Sequence, residues 1–390
     1  MKKKVCVVTG TRAEYGLLKP LIVRISESLY LELQLIATGM HLSPEFGLTY
    51  KYIEEDGFKI DEKVEILMSS DTPVGISKSM GLTLISFSEV YQRLNPDILV
   101  ILGDRYETFS AMAAAVVSRV PIAHIHGGEI TEGAFDDSFR HSMTKMSYLH
   151  FTSTKEYRKR VIQLGEEPER VFNVGALGID NVLDLPCISK NSLEKKIGIR
   201  LDGDFALIVF HPVTLENNTA EEQINQILAA LKEKRDMIKV FIKGNSDTTG
   251  RVINASIEKF VEDNEKAYSF SSLPIETYLH LLKESKVIIG NSSSGIIEAP
   301  AFRVPTINIG DRQKGRIKAS SVIDCKPFKE NILRALRTIE SGKFEKNLKE
   351  VMNPYGIGNT SEMIVNIIKD YLLDKEINLK KKFNDIVFEV

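Results

Sequence analysis

The 390-residue sequence contains no tryptophan and only three cysteines, Cys6, Cys187 and Cys325. These cysteines lie far apart and lack the spacing of metal ligands, so we expect neither a zinc site nor a disulfide framework. An excess of one charge is also missing, because 51 Lys and Arg face 53 Asp and Glu and the net charge is −2. This balance offers no general attraction to nucleic acid or to an anionic membrane, and neither is expected as a partner. Any anion must therefore be bound by a local site.

Long apolar segments are absent as well. The first residues, MKKKVCVVTG, place basic residues before an apolar run, but at about five residues that run is too short for the core of a signal peptide. No stretch reaches the roughly 18 consecutive apolar residues of a membrane span. We therefore expect a cytoplasmic protein.

Two glycine motifs of nucleotide-binding proteins are missing from the first strand-to-helix turn. The stretch VTGTRAEYG, residues 8–16, contains neither G-x-G-x-x-G nor the GK[ST] of a P-loop. This argues against an NAD-dependent enzyme and a P-loop NTPase, and no cofactor is expected. Gly10 and Arg12 instead place a turn and a guanidinium at a helix start, where backbone N–H groups favour an anion.

Apolar runs of strand length alternate with segments of helical periodicity. The first series of runs is KVCVVTG (4–10), LQLIATG (33–39), ILVILG (98–103), VPIAHI (120–125) and YLHFTST (148–154). The second series is FALIVFH (205–211), IKVFIKG (238–244), KVIIGNS (286–292) and VPTINIG (304–310). Helical periodicity occupies 14–28, 80–94, 107–119 and 361–373. This alternation predicts parallel sheets covered by helices on both faces.

The length of the chain and the alternation of strand and helix patterns together predict two domains. A chain of 390 residues exceeds what one hydrophobic core usually supports. The alternating pattern of strands and helices is interrupted near 175–190, between the two series of strands. We therefore expect two doubly wound α/β domains. The last residues, LKKKFNDIVFEV, are predicted to form a surface appendage.

Charged residues follow a buried strand in ILGDRYETF, residues 101–109. A single charged residue directly after the strand would be explained simply by the strand ending at the solvent-exposed surface. Asp104, Arg105 and Glu107 are crowded together, however, and ligands of open parallel sheets bind just beyond the carboxyl ends of the strands. The crowding therefore indicates the floor of a polar cleft.

The densest cluster of polar groups is HIHGGEITEGAFDDSFRHS, residues 124–142. It contains His124, His126, Glu129, Asp136, Asp137, Arg140 and His141. A metal site is one interpretation of the H-x-H pair, but His124 continues the apolar strand PIAHI, so we expect one of the two histidines to be structural, and no metal is expected. Asp136 and Asp137 open a helix, and two interpretations stay open for them: a helix cap or acid–base groups.

Polar residues also follow the strands of the second series. His211 ends one strand, Lys243 lies at the end of the next, and IGNSSSGIIEAPAF (289–302) forms a serine turn with Glu298 soon after it. The stretch NIGDRQKGR (308–316) adds Arg312, Lys314 and Arg316. Serine hydroxyls and free helix N–H groups suit a diphosphate, and a carboxylate one turn later suits ribose hydroxyls. Caps, loops and a solvated basic patch are the alternatives, but the joint occurrence on consecutive strand ends favours a nucleotide.

The motifs GTRAEYG, LGDRYE, HIHGGE, DDSFRHS, GNSSSGIIE and GDRQKGR occur in this order over most of the chain. In this combination the sequence resembles the hydrolysing UDP-N-acetylglucosamine 2-epimerases of bacterial sialic acid biosynthesis, which produce N-acetylmannosamine and UDP. The resemblance implies a GT-B fold, two Rossmann-like domains with the active site in the cleft between them. It implies a sugar-side domain at 1–178, a UDP-binding domain at 179–360, and a helix and tail at 361–390 that cross back to the first domain. It also implies a nucleotide-sugar substrate and a homodimer or homotetramer.

The resemblance implies a catalytic set and a binding set of residues. The catalytic set is Asp104, His126, Glu129, Asp136 and Arg140. The set that binds substrate and UDP is Arg12, Arg105, His211, Lys243, Ser292, Ser293, Ser294, Gly295, Glu298 and Arg312. Animal bifunctional and non-hydrolysing bacterial epimerases carry a glutamate where this chain has His126, so the second acid–base role stays open between His126 and Asp136.

The chemistry of inversion at C2 explains why such residues are needed. The C2 hydrogen becomes acidic only as the C1–O bond to UDP breaks, so the site must stabilise a leaving diphosphate and supply acid–base groups on both faces of the sugar. Asp104 is the first choice for one of these groups. The alternatives are a non-hydrolysing epimerase, a hydrolysing enzyme for a UDP-diacetamido-trideoxyhexose, and a GT-B glycosyltransferase, which would leave HIHGGE unexplained.

Overall fold

The computed structural model of the chain describes residues 2–68, 70, 72–132, 134–213, 219–243, 250–375 and 377–387. Several residues of the stretches quoted above lie outside the described residues: Met1, Gly133, Gly244 and 388–390. Among the helices described, none combines the length and the apolar character needed to cross a bilayer. The three cysteines are not joined by disulfide bonds.

The described residues contain thirteen strands. They are β1 (Lys3–Thr9), β2 (Leu31–Thr38), β3 (Glu62–Val64), β4 (Ile98–Leu102), β5 (Ile122–Ile125), β6 (Leu149–Thr152), β7 (Val171–Asn173), β8 (Phe205–Val209), β9 (Ile238–Ile242), β10 (Ala267–Phe270), β11 (Val287–Gly290), β12 (Thr306–Ile309) and β13 (Val322–Cys325). Each of the nine runs predicted above overlaps one of these strands.

Fifteen α-helices alternate with these strands in the described part of the chain. They are α1 (Arg12–Glu27), α2 (Tyr50–Glu55), α3 (Pro73–Leu94), α4 (Tyr106–Val117), α5 (Asp136–Met146), α6 (Lys155–Gln163), α7 (Leu177–Leu183), α8 (Lys190–Ile197), α9 (Ala220–Glu233), α10 (Gly250–Glu262), α11 (Ile275–Glu284), α12 (Ser294–Ile297), α13 (Lys329–Ile339), α14 (Gly342–Lys349) and α15 (Thr360–Leu373). Short 3₁₀ helices occur at Gly39–Leu42, Pro44–Phe46, Pro168–Arg170 and Ala299–Phe302.

The described residues divide into two compact units. Unit 1 takes its residues from Met1–Glu129, Asp136–Asp180 and Tyr355–Val390, and unit 2 from Ile130–Phe135 and Asn181–Pro354. These limits lie a few residues from the expected boundaries at 178 and 360, and segment 130–135 was not expected to separate from its neighbours.

Hydrogen bonds explain where the chain returns to unit 1. The carboxylate of Asp180 accepts from the backbone N–H groups of Thr360 and Ser361 at 2.9 and 2.7 Å, and Ala176 N donates to Tyr355 O at 2.9 Å. The Asp180 carboxylate thereby satisfies free N–H groups at the start of α15. Apolar residues of α15, among them Ile364 and Ile368, then join the core of unit 1.

Unit 1 is built on a seven-stranded parallel sheet in the order β3-β2-β1-β4-β5-β6-β7. Alternate residues of β1 enter different cores, because Val5 and Val7 belong to one apolar cluster and Cys6 and Val8 to another. Helices therefore cover both faces. The strand order reverses between β1 and β4, which is where ligands bind in sheets of this type.

Unit 2 has a six-stranded parallel sheet in the order β10-β9-β8-β11-β12-β13. Its two faces are also buried, since Ala206 and Ile208 enter one cluster and Leu207 and Val209 the other. The reversal of strand order lies between β8 and β11. The periodicity did not predict the four strands β3, β7, β10 and β13. Each has only three or four residues, and together they form the edges of the two sheets.

Candidate active site

The carboxyl ends of β1, β4 and β5 bring together the predicted sugar-side residues of unit 1. These three strands are neighbours in the sheet. Arg12 begins α1 after β1, Asp104 and Arg105 form the turn between β4 and α4, and His126 directly follows β5. The predicted crowding at this edge of the sheet is therefore present.

Arg140 connects several of these residues. It lies on α5, is buried, and forms an ion pair through Nη2 with Asp104 Oδ2. Its Nη1 donates to the carbonyl oxygen of His126 at 2.9 Å and lies 3.9 Å from Glu129 Oε2. One guanidinium thus fixes the carboxylate of Asp104 and the turn that follows β5.

His126 and Glu129 form a second contact within the same cluster. His126 has a φ of +67°, a left-handed conformation that is uncommon outside glycine, and its backbone N donates to Phe151 O at 2.8 Å. Its Nδ1 lies 3.8 Å from Glu129 Oε1, which also accepts from Ser153 Oγ at 2.7 Å. The left-handed turn therefore holds an imidazole against a buried carboxylate.

His124 is the structural member of the H-x-H pair. It is fully buried, and its Nε2 donates to Gly103 O at 2.7 Å, which ties β5 to the turn after β4. Burial lowers the pKa of His124 to about 3, so the ring is neutral at physiological pH. No group of three or more His, Cys, Asp or Glu suited to a metal ion was found in the described residues.

Asp136 and Asp137 both lie in the first turn of α5. Negative charge is favourable there because of the helix dipole. Asp137 Oδ2 lies 3.5 Å from His141 Nε2, one turn further along the helix. Asp136 is partly exposed, so both interpretations of this residue stay open.

Three buried polar residues of this region were given no role in the site from the sequence, although Glu107 was noted among the crowded charges after β4. Glu107 Oε1 accepts from Arg105 Nε at 2.5 Å, and Glu14 Oε2 accepts from Gly10 N at 2.6 Å. His41 bonds to Thr9 Oγ1 through Nε2 at 3.0 Å. Glu14 and Glu107 stand in the motifs GTRAEYG and LGDRYE, and their closeness to Arg12 and Arg105 is the signal that could have marked them.

In unit 2, Asn291 joins the ends of β8 and β11. Its side chain accepts from His211 N at 2.7 Å and donates to His211 O at 2.8 Å. Its carbonyl oxygen accepts from Arg312 Nη1 at 3.0 Å and from Gln313 Nε2 at 2.8 Å. The structure therefore gathers His211 and Arg312 around Asn291, which is part of the serine turn but was not itself predicted as a site residue.

The serine turn itself is shaped by two glycines. Gly290 has a φ of +143°, and a Cβ there would lie 1.9 Å from Val209 O. A Cβ on Gly295 would lie 2.6 Å from Thr306 Cγ2, and Thr306 Oγ1 donates to Gly295 O at 2.6 Å. Beyond Ser292 and Ser293, α12 begins at Ser294, and the buried Glu298 follows its end.

The basic residues of unit 2 do not all share this arrangement. Lys243 Nζ donates to Glu258 Oε1 on α10 at 2.5 Å. Lys314 pairs with Glu132 at 3.0 Å, and Arg316 Nε donates to Ile130 O at 3.1 Å. Arg312 is thus the basic residue of this loop whose contact with Asn291 ties it to the serine turn.

Comparison with known proteins identifies the family. The model of the UDP-N-acetylglucosamine 2-epimerase family matches residues 24–369. The chain belongs to this family. The resemblance expected from the six motifs is therefore confirmed.

Hydrolysing enzymes are among the relatives of this epimerase-family chain. It is 44% identical over 347 residues, 89% of this chain and 90% of the relative, to the GDP/UDP-N,N'-diacetylbacillosamine 2-epimerase (hydrolyzing) of Campylobacter jejuni. It is 42% identical over 387 residues, 98% of each chain, to polysialic acid biosynthesis protein P7 of Escherichia coli.

A solved structure confirms the fold of this epimerase-family chain. The UDP-GlcNAc 2-epimerase of Neisseria meningitidis, crystallised with UDP-GlcNAc, matches it with a TM-score of 0.81 at 20% identity, covering 94% of this chain and 99% of that one. The predicted GT-B fold of two Rossmann-like, doubly wound domains is therefore correct.

Proposed function

We propose that this epimerase-family protein converts UDP-N-acetylglucosamine and water to N-acetylmannosamine and UDP, for sialic acid biosynthesis. The observation that carries the proposal is the contact of Arg140 with both Asp104 and the His126 carbonyl at adjacent strand ends. This arrangement fixes the Asp104 carboxylate and the backbone of His126 at neighbouring strand ends, and a carboxylate and an imidazole are groups that can transfer protons at a sugar carbon.

The reaction proceeds by elimination and hydration. As the C1–O bond breaks, UDP leaves with the bridging oxygen and both bonding electrons, and the developing oxocarbenium ion acidifies the C2 hydrogen. Removal of that proton gives a 2-acetamidoglucal. A proton added to C2 from the opposite face and water added at C1 then give the inverted free sugar.

We assign the proton transfers to residues of unit 1. Asp104 removes the C2 proton, and Arg140 keeps its carboxylate in position. The second acid–base group is His126 or Asp136, with Glu129 supporting the imidazole of His126. Single variants His126→Ala and Asp136→Asn decide between them, because only loss of the proton donor lets the glycal accumulate.

We assign binding of the nucleotide to unit 2. The hydroxyls of Ser292, Ser293 and Ser294, the backbone at Gly295 and the guanidinium of Arg312 suit a diphosphate, and Glu298 suits ribose hydroxyls. Arg12 and Arg105 supply further positive charge that stabilises the leaving group as the C1–O bond breaks. His211 completes this set through its pairing with Asn291.

A UDP-diacetamido-trideoxyhexose is the second candidate substrate. It is favoured by the 44% identity to the Campylobacter jejuni enzyme, whose name specifies diacetylbacillosamine. A panel that compares UDP-N-acetylglucosamine with its 6-deoxy-4-acetamido analogue distinguishes the two by the rate of UDP release. Faster release from the analogue would replace the first substrate with the second.

Isotopic labelling tests the reaction itself. In deuterated oxygen-18 water we expect a product with deuterium at C2 and UDP without oxygen-18. Labelled UDP would mean that water attacks phosphorus. Return of UDP-N-acetylmannosamine instead of free sugar would identify a non-hydrolysing epimerase, and transfer of the sugar to an added acceptor would identify a glycosyltransferase.

We further propose that the protein acts in the cytoplasm as a homodimer or homotetramer without a cofactor. The resemblance to hydrolysing 2-epimerases supports this. Light scattering of the purified protein measures the oligomeric state, and full activity after exhaustive dialysis against a chelator is the expected result for an enzyme without metal.

A further inference from the structure

Two buried glutamates next to the sugar-side turns have no role in the reaction proposed above. Glu14 lies in the first turn of α1 and Glu107 in the first turn of α4, with 7% and 1% of their surface exposed. A buried carboxyl group is costly unless it is neutral or well paired. Their presence at this place therefore needs a physical explanation.

Both carboxyl groups contact the turn at Gly10. Glu14 Oε2 accepts from Gly10 N at 2.6 Å. A Cβ on Gly10 would lie 2.7 Å from Glu107 Oε1, so Glu107 fills the space beside the glycine. The same oxygen of Glu107 accepts from Arg105 Nε at 2.5 Å. Two acidic side chains thus support one glycine turn and one arginine.

The surroundings of Glu14 and Glu107 favour a state in which Glu14 carries a proton. Burial, together with the charge of Glu107, raises the pKa of Glu14 to about 8 against the opposing effects of the Gly10 hydrogen bond and Arg105. Glu14 Oε1 is buried and has no hydrogen-bond partner among the described residues, and a buried oxygen without a partner costs less in a neutral carboxyl group than in an ionised one. His41, whose backbone N donates to Gly10 O at 3.3 Å, is neutral because burial lowers its pKa to about 4.

We infer that Glu14 and Glu107 are a pair of positioning residues for the sugar side of the site. Glu107 fixes the guanidinium of Arg105, and Glu14 in its neutral form fixes the turn from which Arg12 projects. The inference rests on the proposed function, because it assumes that Arg12 and Arg105 meet the substrate. Ionisation of Glu14 places a second buried negative charge close to Glu107, and the repulsion between the two carboxylates disturbs the turn at Gly10, so activity falls on the alkaline side.

The variant Glu14→Gln tests the neutral state. Its amide keeps the acceptor for Gly10 N but cannot ionise. We expect the alkaline limb of kcat to move upward by at least about one pH unit relative to the wild type. The exposed Glu27→Gln on the same helix is the matched control and should keep the wild-type profile. An unmoved alkaline limb in Glu14→Gln would overturn the role of Glu14.

A double-mutant cycle tests whether Glu107 acts through Arg105. We expect Glu107→Gln to lower kcat about tenfold or more in the wild-type background and to have little effect in an Arg105→Ala background, because interacting residues are not additive. Equal effects in the two backgrounds would overturn this role and leave Glu107 as a purely structural residue.

Thermal unfolding without substrate separates this inference from the proposed function. Because the pKa of Glu14 is raised in the folded state, wild-type stability falls as the pH rises from about 5 to about 8, so the Tm of Glu14→Gln should rise relative to wild type over this range. A constant Tm difference would contradict the neutral Glu14 even in an active enzyme. Failure of the wild type to release UDP from any sugar nucleotide would refute the proposed function alone.

Discussion

The two sheets carry different chemistry at corresponding places. Beyond β1, β4 and β5 of unit 1 lie buried charges, with Arg140 paired to Asp104 and Arg105 paired to Glu107. Beyond β8 and β11 of unit 2, the groups that organise the turn are the amide and carbonyl of Asn291. A site that moves protons needs groups whose ionisation is controlled by burial and neighbours. A site that holds a diphosphate needs donors that are present at any pH.

The same difference extends away from the strand ends. In unit 1 the fully buried Glu166 contacts His150 at 3.0 Å and Lys145 and Lys381 at 2.6 Å each. Lys381 belongs to the tail that was predicted as a surface appendage, and it also donates to Ser147 O at 2.6 Å. We therefore expect the pH dependence of stability to originate mainly in unit 1.

The largest expected effect is that of Asp104→Asn on turnover. The change is nearly isosteric but removes the base, so kcat should fall about 1,000-fold or more, equivalent to about 4 kcal/mol. UDP affinity, measured by calorimetric titration, should stay within about twofold, because we assign the nucleotide to unit 2. The exposed Asp370→Asn is the control. Near-normal activity of Asp104→Asn would remove this residue from the mechanism.

Glycine substitutions compare the two turns directly. In Gly290→Ala the Cβ meets the backbone at Val209 O at 1.9 Å and the φ is +143°, so we expect a loss of at least about 3 kcal/mol in stability. In Gly10→Ala the new Cβ meets the end of the Glu107 side chain, which can shift. That variant should lose activity more than stability. Calorimetric unfolding and UDP release are measured for both variants. A lower stability of Gly10→Ala than of Gly290→Ala would contradict this expectation.

Acid titration tests the charge network of unit 1. Burial raises the pKa of Glu166, but hydrogen bonds from His150, Lys145 and Lys381 outweigh it and hold the value at about 2. The network therefore contributes stability above the ordinary pKa of a glutamate and loses it as the pH falls towards 2. Glu166→Gln should cost up to about 3 kcal/mol at neutral pH and little near pH 2. A difference in Tm from wild type that does not change with pH would argue against this assignment.

The smallest effects are expected in the nucleotide site. His211→Ala and Glu298→Ala should each weaken UDP binding about tenfold, roughly 1.4 kcal/mol. Lys243→Met should weaken it less than about threefold, because Nζ is already held by Glu258. Titration with UDP measures all three, with Tm as a check on folding. Unchanged UDP affinity in both His211→Ala and Glu298→Ala would mean that the nucleotide binds elsewhere.

The sequence was sufficient for the features that depend on local pattern. Continuous apolar runs bounded by glycine and polar residues predicted the central strands of both sheets, because strands buried on both faces need apolar side chains throughout. The edge strands β3 and β13 were not predicted, since EKV and VIDC are short and mixed in polarity. Motifs at strand ends similarly predicted which stretches carry the polar groups.

Tertiary structure decided which of those groups meet. Arg140 and Asp104 are 36 residues apart in the chain, and Asn291 reaches His211 across 80 residues; no local pattern encodes such pairs. The return of α15 to unit 1 likewise depends on the carboxylate of Asp180, 180 residues before Thr360. Periodicity is a property of neighbours in sequence, whereas partner choice and burial, which set the charge of Glu14, result from packing of distant segments and exist only in the folded chain.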